Sequence, residues 1–171
     1  MNTINAAAGF KGVYHFEHIR NGEVIDSWKE ENLIPTEGLN FILNVLTQAA
    51  TTKINTWYLA LGTGAYTVAA TDTGASIVGA GRANETSLYS EATRVALVLP
   101  AATAAALTNT ASKATFTANA GVTITNAFVT STSPKADATG TLLSSLKLTV
   151  SKALVTADQL VVTFTLSAAS V

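Results

Sequence analysis

The second half of the chain is almost free of charge, and this feature most constrains what the chain can fold into. Its side chains are mostly Thr, Ser, Ala, Val and Leu in short alternating runs. Alternation of apolar and polar residues is the pattern of a half-buried β-strand, and Thr suits the outer face of a sheet. Residues 92–171 contain these charged side chains and no others: Arg94, Lys113, Lys135, Asp137, Lys147, Lys152 and Asp158. Because an active site needs titratable groups close together, this half indicates packing and assembly, and the chain is predicted not to be an enzyme.

The composition of the whole chain favours one domain whose surface is partly covered by partners. Charged residues make up 12% of the 171 residues, against about 25% in ordinary soluble domains, while apolar residues make up 48%. No apolar run approaches the roughly 18 residues of a membrane span, and a net charge of −1 gives no basic face for nucleic acid. We therefore expect a single β-rich domain over residues 1–171, with residues 1–10 as a flexible arm and with neither membrane nor nucleic acid as a partner.

The charged residues concentrate near the start of the chain, where the pattern predicts a β-hairpin. Asn21-Gly22 separates residues 13–20 from residues 23–28, and both segments are rich in aromatic and branched side chains. Asn-Gly is favoured in a type I′ turn, because both turn positions need a positive φ. Arg20 and Glu23 would then lie opposite each other across the strands. Tyr14, Phe16 and His18 would share one face of the first strand.

One helix and a series of short strands follow the hairpin. Leu39, Ile42, Leu43 and Leu46 recur at helical spacing after Pro35-Thr36-Glu37, which predicts a helix over about 36–48 with Thr36 as its N-cap. We expect this helix to close an open end of the sheet. A Gly- and Ala-rich segment over 65–87 predicts a long surface loop. Strands separated by turn residues at intervals of about ten then favour a mainly β fold, an antiparallel sandwich or barrel.

The sequence offers no convincing catalytic, metal or cofactor site. His15 and His18 would point to opposite faces of a strand, so they cannot easily share a metal, although His15 and Glu17 share a face. Gly62-Thr63-Gly64 and Gly79-Ala80-Gly81 lack the Lys-Ser/Thr ending of a phosphate-binding loop. No Ser/His/Asp combination suggests a nucleophile, and cysteine is absent. No cofactor is predicted.

Several motifs, taken in order, resemble those of a family of small virion proteins. The motifs are Gly22-Glu23-Val24-Ile25, Glu31-Asn32-Leu33-Ile34, Thr36-Glu37-Gly38-Leu39, Trp57-Tyr58-Leu59-Ala60-Leu61, Tyr89-Ser90-Glu91-Ala92-Thr93-Arg94, Ala111-Ser112-Lys113-Ala114-Thr115-Phe116, Gly140-Thr141-Leu142-Leu143 and residues 158–166. In this order they resemble the capsid decoration, or cement, proteins of tailed bacteriophages. The resemblance implies a β-sandwich or jelly-roll body and a homotrimer that binds the major capsid protein. It also implies a location on the virion surface after synthesis in the host cytoplasm, and it carries no catalytic residues.

The N-terminal segment is the predicted contact with the capsid. Its hypothesised anchors are Phe10, Tyr14, Phe16, Arg20 and Trp28. The alternative is that the hairpin only closes the sandwich.

Two other functions remain open at this point. One is a tail or fibre component of a phage. The other is a carbohydrate-binding β-sandwich in which Trp57, Tyr58 or Tyr66 stacks on sugar.

Overall fold

Two antiparallel β-sheets make up most of the protein, for which the computed structural model describes residues 9–169. Within this range there are nine strands and two helices. The strands are β1 (Gly9–Arg20), β2 (Glu23–Glu31), β3 (Trp57–Gly62), β4 (Val95–Leu97), β5 (Ala106–Thr108), β6 (Ala114–Thr117), β7 (Val122–Thr130), β8 (Leu142–Leu154) and β9 (Gln159–Ala169). The helices are α1 (Thr36–Thr47) and α2 (Gly74–Ile77).

The two sheets pack face to face around one main core. The first sheet has the order β2-β1-β9-β5, with β6 also paired to β9, and the second has the order β4-β3-β7-β8. The main cluster of buried side chains draws on both sheets. Its largest fully buried members are Tyr14, Phe16, Leu59, Leu61, Phe116, Ile124, Leu160 and Phe164. The predicted mainly β, antiparallel sandwich is therefore confirmed.

The N-terminal hairpin forms as predicted. Asn21 and Gly22 have φ values of 53° and 84°, the positive angles that a two-residue turn of this kind requires. Arg20 is paired with Glu23 in the register of β1 and β2. The inner face of β1 carries Tyr14 and Phe16, and both are fully buried. Alternation along β1 thus decides which aromatic residues enter the core.

Helix α1 has nearly the predicted bounds but neither the predicted cap nor the predicted packing. Pro35 occupies the N-cap position, and no side chain caps the helix. Gly38 is its buried residue, and a Cβ there would lie 2.6 Å from the Leu143 carbonyl oxygen. Glycine therefore allows α1 to approach β8 closely. Ile42 packs against the main core, whereas Leu39, Leu43 and Leu46 are exposed, so most of the predicted apolar face is not covered by the sheet.

The segment over 65–87 is also packed more tightly than a surface loop. It contains α2, which begins with a capping box between Thr73 and Ser76. Ile77 and Ala83 are buried against Phe128 of the second sheet, in a smaller apolar cluster. The prediction of an exposed loop is corrected accordingly: local hydrogen bonds fold this segment onto the outer face of the second sheet.

A buried ion pair connects three loops at this end of the molecule. Arg94 and Glu85 have fully buried side chains and form two hydrogen bonds, from Nε to Oε1 at 2.9 Å and from Nη2 to Oε2 at 2.7 Å. Arg94 also donates to the carbonyl oxygens of Thr132 at 3.0 Å and Asp137 at 2.9 Å. The backbone N–H of Ala136 donates to Glu85 at 2.8 Å. Each charge is therefore satisfied inside the protein, as burial requires.

Arg94→Ala should destabilise the protein severely, because it leaves the Glu85 carboxylate buried without its partner. We expect a loss of about 3–5 kcal/mol in the free energy of unfolding, measured by urea denaturation. Lys113→Ala is the control, since it removes an ion pair with Glu17 that is accessible to water, and it should cost less than about 1 kcal/mol. Equal effects of the two substitutions would show that the buried pair does not stabilise the loops.

Candidate interaction surface

The five predicted contact residues do not form one surface. Tyr14 and Phe16 are fully buried, so the prediction that they anchor a partner is wrong for these two. Trp28 is half-buried, with its ring stacked on Phe16 at 5.0 Å and Lys152 Nζ at 4.2 Å from the ring centroid. Arg20 is directed to a carboxylate of the same chain. Phe10, 40% exposed, is the most accessible aromatic residue of the five.

The predicted arm lies largely outside the described residues. Residues 1–8 are not described, whereas Gly9 and Phe10 belong to β1 and pair with Ala169 and Ala168 of β9. For these two positions the arm is corrected to strand. This end of β1 is paired with β9, so a contact through Phe10 would be made from a sheet.

The two histidines lie on opposite faces of β1, as alternation predicts. His15 Nε2 is 2.9 Å from Ser27 Oγ, and His18 Nε2 is 2.8 Å from a buried carboxylate oxygen of Asp158. Over residues 9–169 no group of three or more potential ligand side chains is close enough to hold a metal ion.

Asp158 connects the hairpin to the turn before β9. Its Oδ1 accepts from Arg20 Nε at 2.8 Å, and its Oδ2 accepts from Arg20 Nη2 at 2.7 Å. The backbone N–H of Val155 donates to Oδ2 at 2.9 Å. The Arg20 guanidinium, helped by Val155 and His18 and opposed by burial, holds the pKa of Asp158 far below its usual range. These hydrogen bonds are internal, so the charged end of the hairpin stabilises the fold.

Exposed large apolar side chains are most numerous on helix α1. Leu39, Leu43 and Leu46 are 37%, 55% and 76% exposed, and their spacing places them on one face of the helix. We call these three residues the leucine ridge. Gly38 and Ile42 lie on the adjacent side of the helix and face the protein. A helix with large apolar residues both inward and outward indicates a second surface that is meant to be covered.

The surroundings of the leucine ridge carry no charge. From residue 38 to residue 52 the sequence contains no Asp, Glu, Lys or Arg. Glu37, the one charged residue of α1, directs its carboxylate to the backbone N–H groups of Gly74 at 2.8 Å and Leu142 at 2.6 Å. The ridge is therefore a neutral, apolar contact surface, and complementary packing rather than charge would select its partner.

A cleft lies close to this helix. Phe41 packs edge-on against Trp57, with ring centroids 5.4 Å apart. Trp57 also lines a cleft of about 420 Å³ together with Leu97, Leu99 and Leu107. Sequence periodicity predicted the leucines of α1 but assigned them to the interior, so the ridge became recognisable only when the orientation of the helix was known.

The aromatic residues considered for sugar stacking are dispersed and partly covered. Trp57 and Tyr58 are both half-buried, and Phe41 packs on Trp57. The guanidinium of Arg82 lies 4.8 Å from the centroid of the Tyr66 ring, whose hydroxyl donates to Asp72 at 2.8 Å. The three residues do not form a common platform.

Comparison with known proteins gives no assignment. The sequence matches no protein-family model, and no curated protein is significantly similar to it. In the part of the chain that is described, no helix is both long and apolar enough to cross a membrane.

Replacing the two phenylalanines of β1 separates core residues from surface residues. Phe16→Ala should lower the free energy of unfolding by about 3–5 kcal/mol, because it removes a buried ring from a stacked aromatic core. Phe10→Ala is the matched control and should cost less than about 1 kcal/mol, since Phe10 is exposed. Urea denaturation measures both values. A well-folded Phe16→Ala protein would contradict the assignment of Phe16 to the core.

Asp158 should make the free energy of unfolding depend on pH. Its pKa lies below the usual 3.8 in the folded protein, so its stabilising effect is complete above the unfolded pKa and is lost as the pH falls. Asp158→Asn should cost about 2 kcal/mol at neutral pH, through lost charge-assisted hydrogen bonds. This difference from the wild type should shrink as the pH is lowered from about 5 to about 2.

Thermal unfolding across that pH range measures the effect. Glu23→Gln, at an exposed acid beside the same hairpin turn, is the control. A difference between Asp158→Asn and wild type that stays constant at every pH would contradict the role of the Asp158 charge.

Proposed function

We propose that this protein is a structural component of a tailed-phage virion that decorates the outside of the capsid. In this role it binds the major capsid protein and stabilises the shell by bridging capsomers as an oligomer, as the homotrimer implied by the sequence resemblance would do. The observation that carries the proposal is the leucine ridge, a neutral apolar surface of α1 exposed on a chain with few charges. Such a surface favours burial against another protein.

The β-sandwich gives the ridge a rigid support. Gly38 brings α1 against β8, and Glu37 fixes its first turn to two separate backbone segments. A protein that binds only the assembled shell stabilises that shell by mass action. Several copies of a modest contact, linked in one oligomer, add to a strong attachment. The leucine ridge is therefore assigned to the contact with the capsid.

A pair of lysines in the ridge tests this assignment. Leu43→Lys/Leu46→Lys should leave the fold and the mass in solution unchanged, because both side chains are exposed. It should weaken binding to expanded empty capsids by about 100-fold or more, since burying two leucines contributes roughly 3 kcal/mol or more. Cosedimentation with expanded and unexpanded capsids measures binding, and light scattering measures mass.

Matched variants make the result specific. Val98→Lys/Val150→Lys changes two exposed apolar residues outside α1 and should bind like the wild type. Deletion of residues 1–8 tests the N-terminal contact while leaving β1 intact, and unchanged binding would exclude these residues as the anchor.

Loss of oligomer mass in the ridge variant would assign the ridge to contacts between copies. Wild-type protein that ignores capsids and labels tails would overturn the capsid assignment in favour of a tail or fibre component.

A further inference from the structure

A cleft runs along the other flank of helix α1. It has a volume of about 590 Å³, within the range of roughly 300–1,000 Å³ that is usual for small-molecule sites. One wall is formed by the first three turns of α1, and the other by residues 70–73 together with Thr141. Nothing in the proposed attachment to a capsid uses this cleft.

Neutral side chains that can form hydrogen bonds are the commonest residues lining this cleft. Asn40 and Asn44 lie one helical turn apart and face it side by side, and the hydroxyl groups of Thr36, Thr71 and Thr141 complete the set. Over residues 9–169, none of these five side chains makes a hydrogen bond within the protein. Each amide offers both donors and an acceptor, and each hydroxyl can act as either. The cleft therefore presents several uncommitted groups of both kinds to a ligand.

The groups at the cleft suit neither an anion nor a metal ion. Glu37 uses Oε2 to accept from Gly74 and Leu142, which leaves Oε1 without a protein donor in the described part of the chain. Asp72 is buried, and both its oxygens already accept bonds from Tyr66, Arg82 or Ala69. No Lys, Arg or His lines the cleft, so an anion would find no counter-charge. One free carboxylate oxygen is too few for a metal ion, but it suits a hydroxyl donor.

Phe41 adds an apolar surface to these polar groups. Its ring is half-buried and lines the cleft together with Asn40 and Asn44. Apolar surface beside a few oriented polar groups is the usual composition of a small-molecule site. A sugar ring combines C–H faces with several hydroxyl groups, and it carries no charge. We infer that this cleft binds a neutral saccharide, with Asn40, Asn44 and Glu37 as its hydrogen-bonding residues.

Titration of the full ¹⁵N-labelled chain with three neutral disaccharides tests the inference. Maltose, lactose and N,N′-diacetylchitobiose present glucose, galactose and N-acetylglucosamine. At least one should shift the side-chain amide signals of Asn40 and Asn44 in a saturable way, with a Kd of about 10 mM or tighter. Glucose 6-phosphate should bind at least about 10-fold more weakly than the best neutral sugar, because Glu37 repels it.

A double substitution distinguishes specific binding from a general effect of sugar. Asn40→Ala/Asn44→Ala should keep the fold, since both sites are exposed and alanine favours helix, and it should weaken binding at least about 10-fold. Gln48→Ala removes an exposed amide just beyond the same helix and should have no effect. In the double variant, shifts of the backbone amides around Thr71 and Thr73 report the remaining binding.

The inference does not rest on capsid binding, and its failure is separately visible. The double variant should bind expanded capsids like the wild type. No saturable shift with any of the three sugars up to about 50 mM, or affinity unchanged in the double variant, would overturn the saccharide site while leaving the leucine ridge untouched.

Discussion

The buried carboxylate of Asp158 fixes the point at which the last strand begins, and the first sheet is organised around that strand. β9 pairs with β1, β5 and β6, so its register sets the position of all three. Asp158, directly before β9, accepts bonds from His18 and Arg20 near the end of β1. A slip of one residue would leave this charge without its partners and would turn Tyr14 and Phe16 out of the core. The ion pair and the aromatic core therefore specify the same register.

Other carboxylates connect segments far apart in the sequence in the same way. Glu85 holds Arg94 and the loop at Ala136, and Glu37 joins α1 to α2 and β8. In the sequence, Arg94 and Asp158 stand as isolated charges within a neutral half. Their partners come from other parts of the chain, up to 140 residues away in the case of Asp158 and His18. The local sequence pattern contains no information on such pairs, so the ion pairs and hydrogen bonds that hold the loops could not be predicted.

Local sequence signals were sufficient to predict the structure where it depends on residues that are neighbours in the sequence. The Asn21-Gly22 turn, the bounds of α1 and the alternation of β7 and β9 all follow from spacing within one element. β5 was missed, because an alanine-rich segment has little apolar contrast and its turn places Ala104 and Ala105 at positive φ. The direction in which a helix face points was harder to predict than the presence of the helix. The same periodicity that identified α1 could not show that its leucines face outward, because Gly38 and Ile42 provide the inner face.

Helix α1 is fixed at one end only. The Thr36 N–H donates to the Ala70 carbonyl oxygen at 2.9 Å, and Glu37 ties the first turn to two further backbone groups, whereas the side chains from Val45 onward are exposed. Local opening costs least where few contacts are buried, so its free energy should fall along the helix from the first turn to the last. The helix is thus fixed at its N-terminal end and compliant at its C-terminal end. Such compliance would let one set of leucines fit contact surfaces of different curvature without any change in the sandwich that carries them.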